Sequence, residues 1–333
     1  MARLAGVSTA TVSAVINEKA SVREEMRAHV RQAMRALDYH ADHMARSLKT
    51  GSAKVIGMIV PDLRNHFFAE LMCGVEEVAR GAGYSVLFSH ANKDQAREEE
   101  NLAMLYAHRA AGVVVCSTDA HTAYEGALKR FPVVFVDRLP VAGFRGRAVT
   151  TDNVAAMKQA TRHLIELGHT DIAIITGRLD LLAGLERIEG FRLAMQEAHL
   201  AVRDDYFRPG DYSIESGYRR GLELLGLSQP PTAIVSCNNN MTLGLMQAMS
   251  ESKVHCPEEI SVLSYDDFPW ASYFRPRLTA VAQPGLEMGR RAAQMLLDGA
   301  DEPELIVLKA ELRIRQSTGL PRTSVPCTGR IHP

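Results

Sequence analysis

Along the first forty residues the apolar positions recur at helical spacing. Ser8 can cap a short helix from Thr9 to Ile16, with Gly6 supplying the turn before it. On that helix Val12, Val15 and Ile16 share an inward face, while Thr9, Ala10, Ser13 and Ala14 point outward. Ser21-Val22-Arg23-Glu24 has the form of a capping box, and Met26, Val30, Ala33, Met34 and Leu37 follow at helical spacing, predicting a stronger second helix that ends near Tyr39. A last small helix fits Asp42 to Leu48, before Gly51.

From Lys54 the texture changes to short β-branched apolar runs separated by amphipathic segments. "VIGMIVP" from Val55 to Pro61 reads as a buried strand, followed by a helix whose apolar face is Phe68, Leu71, Met72, Val75 and Val78. The alternation repeats through "YSVLFSH", "GVVVCS", "PVVFVD", "DIAIITG", "TAIVSCN" and "ISVLSYDD". Buried strands alternating with helices predict parallel sheets with crossover connections, and the length of this region predicts two such units. In sheets of this kind ligands sit beyond the carboxyl ends of the strands. That directs attention to Asp62 and Asn65, Asp137 and Arg138, Asn238 to Asn240, and Asp266-Asp267, each of which could instead only cap the helix that follows.

Composition narrows the class. The chain has 333 residues, 46% hydrophobic, enough to bury a sizeable core divided among domains. No apolar run approaches the ~20 residues that span a bilayer, and no signal segment precedes the first helix, so a cytoplasmic location is expected. The five cysteines are scattered, with no C-x-x-C pair, and neither a metal nor a cofactor is expected. Charge adds an asymmetry: residues 1–51 hold eight Lys/Arg against five Asp/Glu, a net +3, leaving −4 on the rest of a chain whose total is −1. A small basic module on a mildly acidic body suits a phosphate-facing head joined to a part that binds something else.

"AGVSTATVSAVIN", "MARSLKTG", "IGMIVPD", "HLIELGH", "ERIEGF", "ISVLSYDD" with "PRLTAVAQP", and "GRRAAQMLL" stand in the order seen in the LacI/GalR family of transcriptional repressors, which the chain resembles from Ala2 to about Arg322. The resemblance implies an α/β protein: a small all-α helix-turn-helix headpiece at 1–40, a hinge helix at 41–51, and a two-lobed core at 54–322 that looks like a periplasmic sugar-binding protein with parallel sheets. Lobe 1 would take about 54–150 and 281–308, lobe 2 about 151–280 and 309–322, leaving a tail at 323–333. It also implies double-stranded DNA with a near-palindromic operator, a small-molecule effector and a homodimer as partners. The tail lacks the heptad leucines of tetrameric relatives.

Residue by residue, the recognition helix would be Thr9 to Ile16, with Thr9 and Ala10 in the base-reading positions and Thr11, Ser13 and Asn17 on phosphates. Ala14 stands where many members have an arginine, which changes the expected operator, and with Ala10 and Ala14 on this face thymine methyls are expected to be read at the corresponding half-site positions. Leu48 matches the minor-groove wedge of the hinge, and Ala41-Asp42 replaces the usual Pro-Asn. Ahead of the recognition helix stand only Ala2 to Ala5, barely one turn of the bracing helix, which favours a start codon upstream of Met1.

The effector ring implied by the family is Phe67, Phe68, Asp137, Arg187, Tyr212, Asn238, Asp266 and Gln283. Carboxylates and amides fix hydroxyl groups through paired hydrogen bonds while aromatic faces cover the apolar side, so a sugar, sugar acid or polyol is expected ahead of a purine-like corepressor. Arg187 could instead clamp a carboxylate or phosphate. Leu181, Leu182 and Ala183 make one side of the cleft greasy. The competing readings are a ligand sensor that never touches DNA and, more remotely, an enzyme using Asp266-Asp267; no G-x-S-x-G, P-loop, metal-spaced histidine cluster or G-x-G-x-x-G supports the latter, and no catalytic residue is expected.

Overall fold

The computed structural model describes residues 1–16, 22–39, 54–118, 124, 126, 129–139, 146–299 and 302–322. The chain divides into two compact units, Met1–Ala53 and Lys54–Pro333, each taken by itself below.

In the first unit, α1 (Ala2–Ala5), α2 (Thr9–Ile16) and α3 (Glu24–Ala36) enclose a small core of Ala5, Val12, Val15, Val30 and Ala33. The single turn of α1 is stabilised by packing rather than by its own length: Ala5 is buried, and Gly6 closes the turn in the left-handed conformation with Val7 N–H donating to the Ala2 carbonyl at 3.1 Å. Ser8 caps α2, its Oγ accepting from Thr11 N–H at 3.1 Å. The capping-box reading of α3 requires correction. The helix starts at Glu24 after Arg23, and no side chain of Arg23 caps it; Glu24 and Glu25 place negative charge at the positive end of the helix dipole instead. Ser21 lies outside the described residues, as do the hinge segment at 41–51 and the tail at 323–333.

The second unit holds two six-stranded sheets. The strands of the first are β1 (Val55–Val60), β2 (Ser85–His90), β3 (Val113–Val115), β4 (Val133–Val136), β5 (Arg147–Thr151) and β11 (Glu304–Leu308), in the order β11-β5-β4-β3-β1-β2 and parallel throughout. Helices α4 (His66–Gly81), α5 (Gln95–Ala107) and α10 (Gly285–Asp298) belong to this lobe, α10 packing along α4. The second sheet has the order β12-β10-β9-β8-β6-β7, from β6 (Ile172–Thr176), β7 (Phe207–Pro209), β8 (Ala233–Ser236), β9 (Ser261–Tyr265), β10 (Thr279–Ala282) and β12 (Glu311–Arg313), with α6 (Asn153–Glu166), α7 (Leu182–Glu197), α8 (Ile214–Leu225) and α9 (Asn239–Glu251). Only β12, paired to β10, runs antiparallel.

The chain crosses between lobes three times: from β5 to α6, from β10 to α10, and from β11 to β12. The second crossing falls after Ala282, because β10 completes its pairing in the second sheet before the chain leaves. Lobes joined by three such short links can part about the links without breaking either sheet. One strand departs from the buried pattern expected of it: β2 is an edge strand, paired only to β1, and leaves Leu87 and Phe88 partly exposed.

Candidate functional site

The strand ends of the two lobes face one another, as parallel sheets require of a ligand site. Asn65 follows β1, Asp137 and Arg138 follow β4, Asn238 follows β8, Asp266 follows β9 and Gln283 follows β10. Together with Phe67 and Phe68 on α4, Ala183 and Arg187 on α7, and Tyr212, these residues line one cleft. All eight residues implied by the family therefore meet around it. The ring is closed around about 10 Å³ of free space, no more than a single water needs. A ligand reaches it only when the lobes part.

Capping and lining are not alternatives here, since two residues do both. Asn65 Oδ1 accepts from Phe67 N–H at 3.0 Å and so starts α4, and Asn238 Oδ1 accepts from Met241 N–H at 2.8 Å and starts α9. Three of the lining residues lie in the left-handed backbone region: Asp137 at φ 63°, Tyr212 at φ 67° and Asp266 at φ 66°. Holding non-glycine residues there costs about 1–3 kcal/mol each, and such strain concentrates where side chains must be aimed. Tyr212 is seated over Gly177, where a Cβ would fall 2.0 Å from the ring's Cζ.

Arg187 is the anchor of the ring. Its Nε donates to Asn153 Oδ1 at 3.0 Å, its Nη1 to the Cys237 carbonyl at 2.8 Å, and its guanidinium lies 3.8 Å from the centre of the Tyr265 ring. Burial opposes that charge, but Tyr265, Tyr212, Asp266 and Asp137 around it hold the guanidinium firmly protonated. Arg138 lies 4.8 Å over the Tyr212 ring and 3.6 Å from Asp137. Asp266 accepts from Gln283 Nε2 at 2.7 Å; burial pushes its pKa up to about 6, against the favourable field of Arg187. Burial likewise pushes the Cys237 thiol up to about 12, which makes it an inert part of the wall.

Among the described residues, six buried side-chain atoms have no hydrogen-bond partner, and three of them belong to this ring: Asp137 Oδ1, Tyr212 Oη and Gln283 Oε1. Buried polar atoms are normally satisfied, so a cluster of orphans in one cleft marks groups held for a ligand. The greasy side expected from Leu181, Leu182 and Ala183 shrinks to Ala183 alone: Leu181 turns into the hydrophobic core and Leu182 does not line the cleft. Asp266 and Asp267 also part company. Asp267 faces away and is tied to Arg313 and Arg315, with Nη–Oδ2 distances of 2.9 and 2.6 Å, so the two carboxylates make no catalytic pair.

In the head, Thr9, Ala10 and Ser13 are exposed on α2, and Thr11 and Ala14 are half-buried. Thr11 is less available than its sequence position implies, because its hydroxyl pairs with Ser8 Oγ at 2.9 Å. Asn17 and Leu48 lie outside the described residues. Asn65, Arg138 and Ala183 are lining residues absent from the ring inferred by sequence. The first two already stood out as polar residues beyond strand ends, which was the signal available for them.

A capped helical head and a two-lobed core that closes on a polar cleft define an effector-binding regulator with a DNA-binding module. The chain belongs to the LacI family of bacterial regulatory proteins. The family model of that description matches residues 1–42, and a periplasmic binding protein-like domain matches residues 161–318. The chain is 36% identical over 307 residues to the ribose operon repressor of Escherichia coli strain K12, covering 92% of this chain and 93% of that one. It is 34% identical over 324 residues to the transcriptional repressor PurR of Vibrio parahaemolyticus, covering 95% and 97%. Among solved structures it resembles the lac repressor dimer bound to operator and an anti-inducer, with a TM-score of 0.84, 26% identity and 96% and 97% coverage. It also resembles a complex of the regulator CelR with cellobiose, with a TM-score of 0.74, 29% identity and 95% and 98% coverage.

Proposed function

We propose that this chain is a homodimeric transcriptional repressor that binds a near-palindromic operator through its head and whose grip on DNA is set by a small polyhydroxylated effector, a sugar, sugar acid or polyol, in the cleft. The observation that carries the effector class is the cluster of unpartnered buried acceptors and donors: Asp137 Oδ1, Tyr212 Oη and Gln283 Oε1, beside the charged Arg187 and Asp266. A ligand rich in hydroxyl groups satisfies a carboxylate, a phenol and an amide oxygen at once, because each hydroxyl both donates and accepts. Two of the similar proteins, the ribose operon repressor and the cellobiose-bound CelR, point to the same ligand chemistry.

Regulation follows from differential affinity. An effector that binds one lobe arrangement better than the other shifts the population, and the DNA affinity shifts by the same coupling free energy. On the head, Thr9 and Ala10 read bases while Thr11, Ser13 and Asn17 contact phosphates, and Ala10 and Ala14 meet thymine methyls; Leu48 enters the minor groove at the operator centre.

Calorimetric titration with pentoses, hexoses, sugar acids, polyols and purine bases tests the effector, alongside sequencing of duplexes recovered from a random pool. The expected result is saturable binding of one polyhydroxylated compound, its loss in Asp137→Asn, and a recovered near-palindrome without a guanine requirement opposite Ala14. Saturable binding of a purine and of none of the sugars would overturn the effector class, and no enrichment of any duplex by a folded chain would return the sensor reading.

A further inference from the structure

Two contacts join the lobes beside the cleft, and of their four residues Asn65 alone also lines it. Asn239, at the start of α9 in the second lobe, donates from Nδ2 to Asn65 Oδ1 at the start of α4 in the first, at 2.9 Å; both residues are buried. One residue further on, His66 meets Trp270 of the second lobe edge-on, with ring centres 5.5 Å apart. Trp270 stands on the turn Pro269–Ser272 and leans on Phe268 of its own lobe at 5.2 Å, yet remains 44% exposed. On its outer side the pair faces solvent, and on its inner side the amide bond is dry.

We infer that Asn239–Asn65 and Trp270–His66 form a clasp that holds the two lobes shut on this side of the cleft, with His66, Asn239 and Trp270 acting as positioning residues for the effector. The inference rests on the reading of the cleft as the effector site, but the clasp is a property of the lobes themselves. A buried amide pair is favourable only while it stays dry. When the lobes part, water replaces the partner and the bond contributes little, so its strength acts on closure rather than on lobe stability. The aromatic contact adds the non-directional part, since the Trp270 edge is covered only while His66 is opposite it. Among the described residues, further bonds cross the cleft elsewhere, from Lys93 Nζ to the Asp211 carbonyl at 3.2 Å and from Arg178 Nη1 to the Thr118 carbonyl at 3.1 Å. These use long exposed or half-exposed cations on backbone oxygens and lack the dry, paired side chains of the clasp.

Trp270 is the only tryptophan in the chain, so its fluorescence reads this contact directly. The test is acrylamide quenching and emission wavelength of the full chain with no added ligand, for the wild type, His66→Ala, His66→Phe and Asn239→Ala. The clasp requires that His66→Ala and Asn239→Ala both raise the quenching constant and shift emission to the red, while His66→Phe stays near the wild type. The side chain of Asn239 bonds to Asn65 and to Asn240 N–H and not to the tryptophan, so its effect on Trp270 is one that a purely local role would not produce. If Asn239→Ala and His66→Ala both keep wild-type quenching with native circular dichroism, the clasp is overturned. Should no sugar bind while the quenching responds as expected, the clasp stands and only the effector reading falls.

Discussion

The head and the core bury different things. At the centre of the head are two alanines and three valines, side chains that contribute little apolar area each, whereas the lobes bury Tyr265, Phe68, Phe135, Phe191 and runs of isoleucine, leucine and methionine with almost no exposure. Their binding surfaces differ in the opposite sense. The head presents small neutral groups on an ordinary helix, while the core places charges and three left-handed residues inside a closed cleft. Thin packing with an unstrained surface suits a module completed by a large charged partner; deep packing is what allows a site to hold strain and unpartnered polar atoms.

The comparison breaks most sharply at Arg187. Arg187→Ala leaves Asp266 without its principal facing cation, the Cys237 carbonyl without that donor and Asn153 Oδ1 with only the Tyr265 hydroxyl, while Arg138 still faces Asp137, at a cost of about 3–5 kcal/mol to the core. Scanning calorimetry is expected to show the core transition lowered and the head transition unmoved, with effector binding lost. An unchanged core transition would mean that the cleft, like the head surface, carries no structural load.

Next in size is a pH effect confined to the core. The folded pKa of Asp266, about 6, lies above its ordinary 3.8, so the native chain holds this proton more tightly than the unfolded one. The contribution to stability is therefore greatest below about pH 4 and is lost as pH rises through about 6, an amount on the order of 3 kcal/mol. Salt-bridged carboxylates such as Asp267, whose pKa is lowered despite desolvation by its bonds to Arg315 and Arg313, slope the other way. The measurement is accordingly the difference between wild type and Asp266→Asn in urea unfolding across that window, and a difference that stays flat refutes the assignment.

Val30, fully buried on α3, is the corresponding point in the head. Removing two methyl groups in Val30→Ala costs about 2 kcal/mol, which is modest for a lobe and a large share of what so small a core supplies. DNA binding at physiological temperature is expected to fall while effector titrations remain as in the wild type. Equal losses of both would show that the two units do not fold independently.

The same contrast explains what could be read from sequence. Ser8, Val12 and Val15 were legible because helix caps and inward faces are local, and Asp137, Asn238 and Asp266 because strand ends in parallel sheets have a fixed geometric role, whereas Phe67, Phe68, Arg187, Tyr212 and Gln283 were reached only through the family resemblance. The short strands were not legible: β7 has three residues and a proline, β12 is exposed, and β5 carries two threonines, so their pairing is decided by neighbours distant in the chain. Arg138 and Asn65 escaped the inferred ring because nothing local distinguishes a polar residue that lines a cleft from one that only starts a helix. The exposure of β2 followed from its place at a sheet edge, which no single strand announces.

The smallest expected effect is the most discriminating for the head. Ser8 Oγ caps α2 and also pairs with the Thr11 hydroxyl, so Ser8→Ala removes the cap and at the same time releases Thr11. Loss of the cap destabilises the head by about 1 kcal/mol, visible as a lower head transition. If Thr11 contacts phosphate, a released hydroxyl compensates at the interface, and DNA affinity measured well below that transition holds near the wild-type value. If instead Thr11 serves only to brace Ser8, affinity falls along with stability. Ser8→Ala compared with Thr11→Val therefore separates a phosphate contact from a structural one. Thr11→Val keeps the Ser8 oxygen that accepts from the backbone and removes only the hydroxyl, so it weakens DNA binding in the first case and leaves it unchanged in the second.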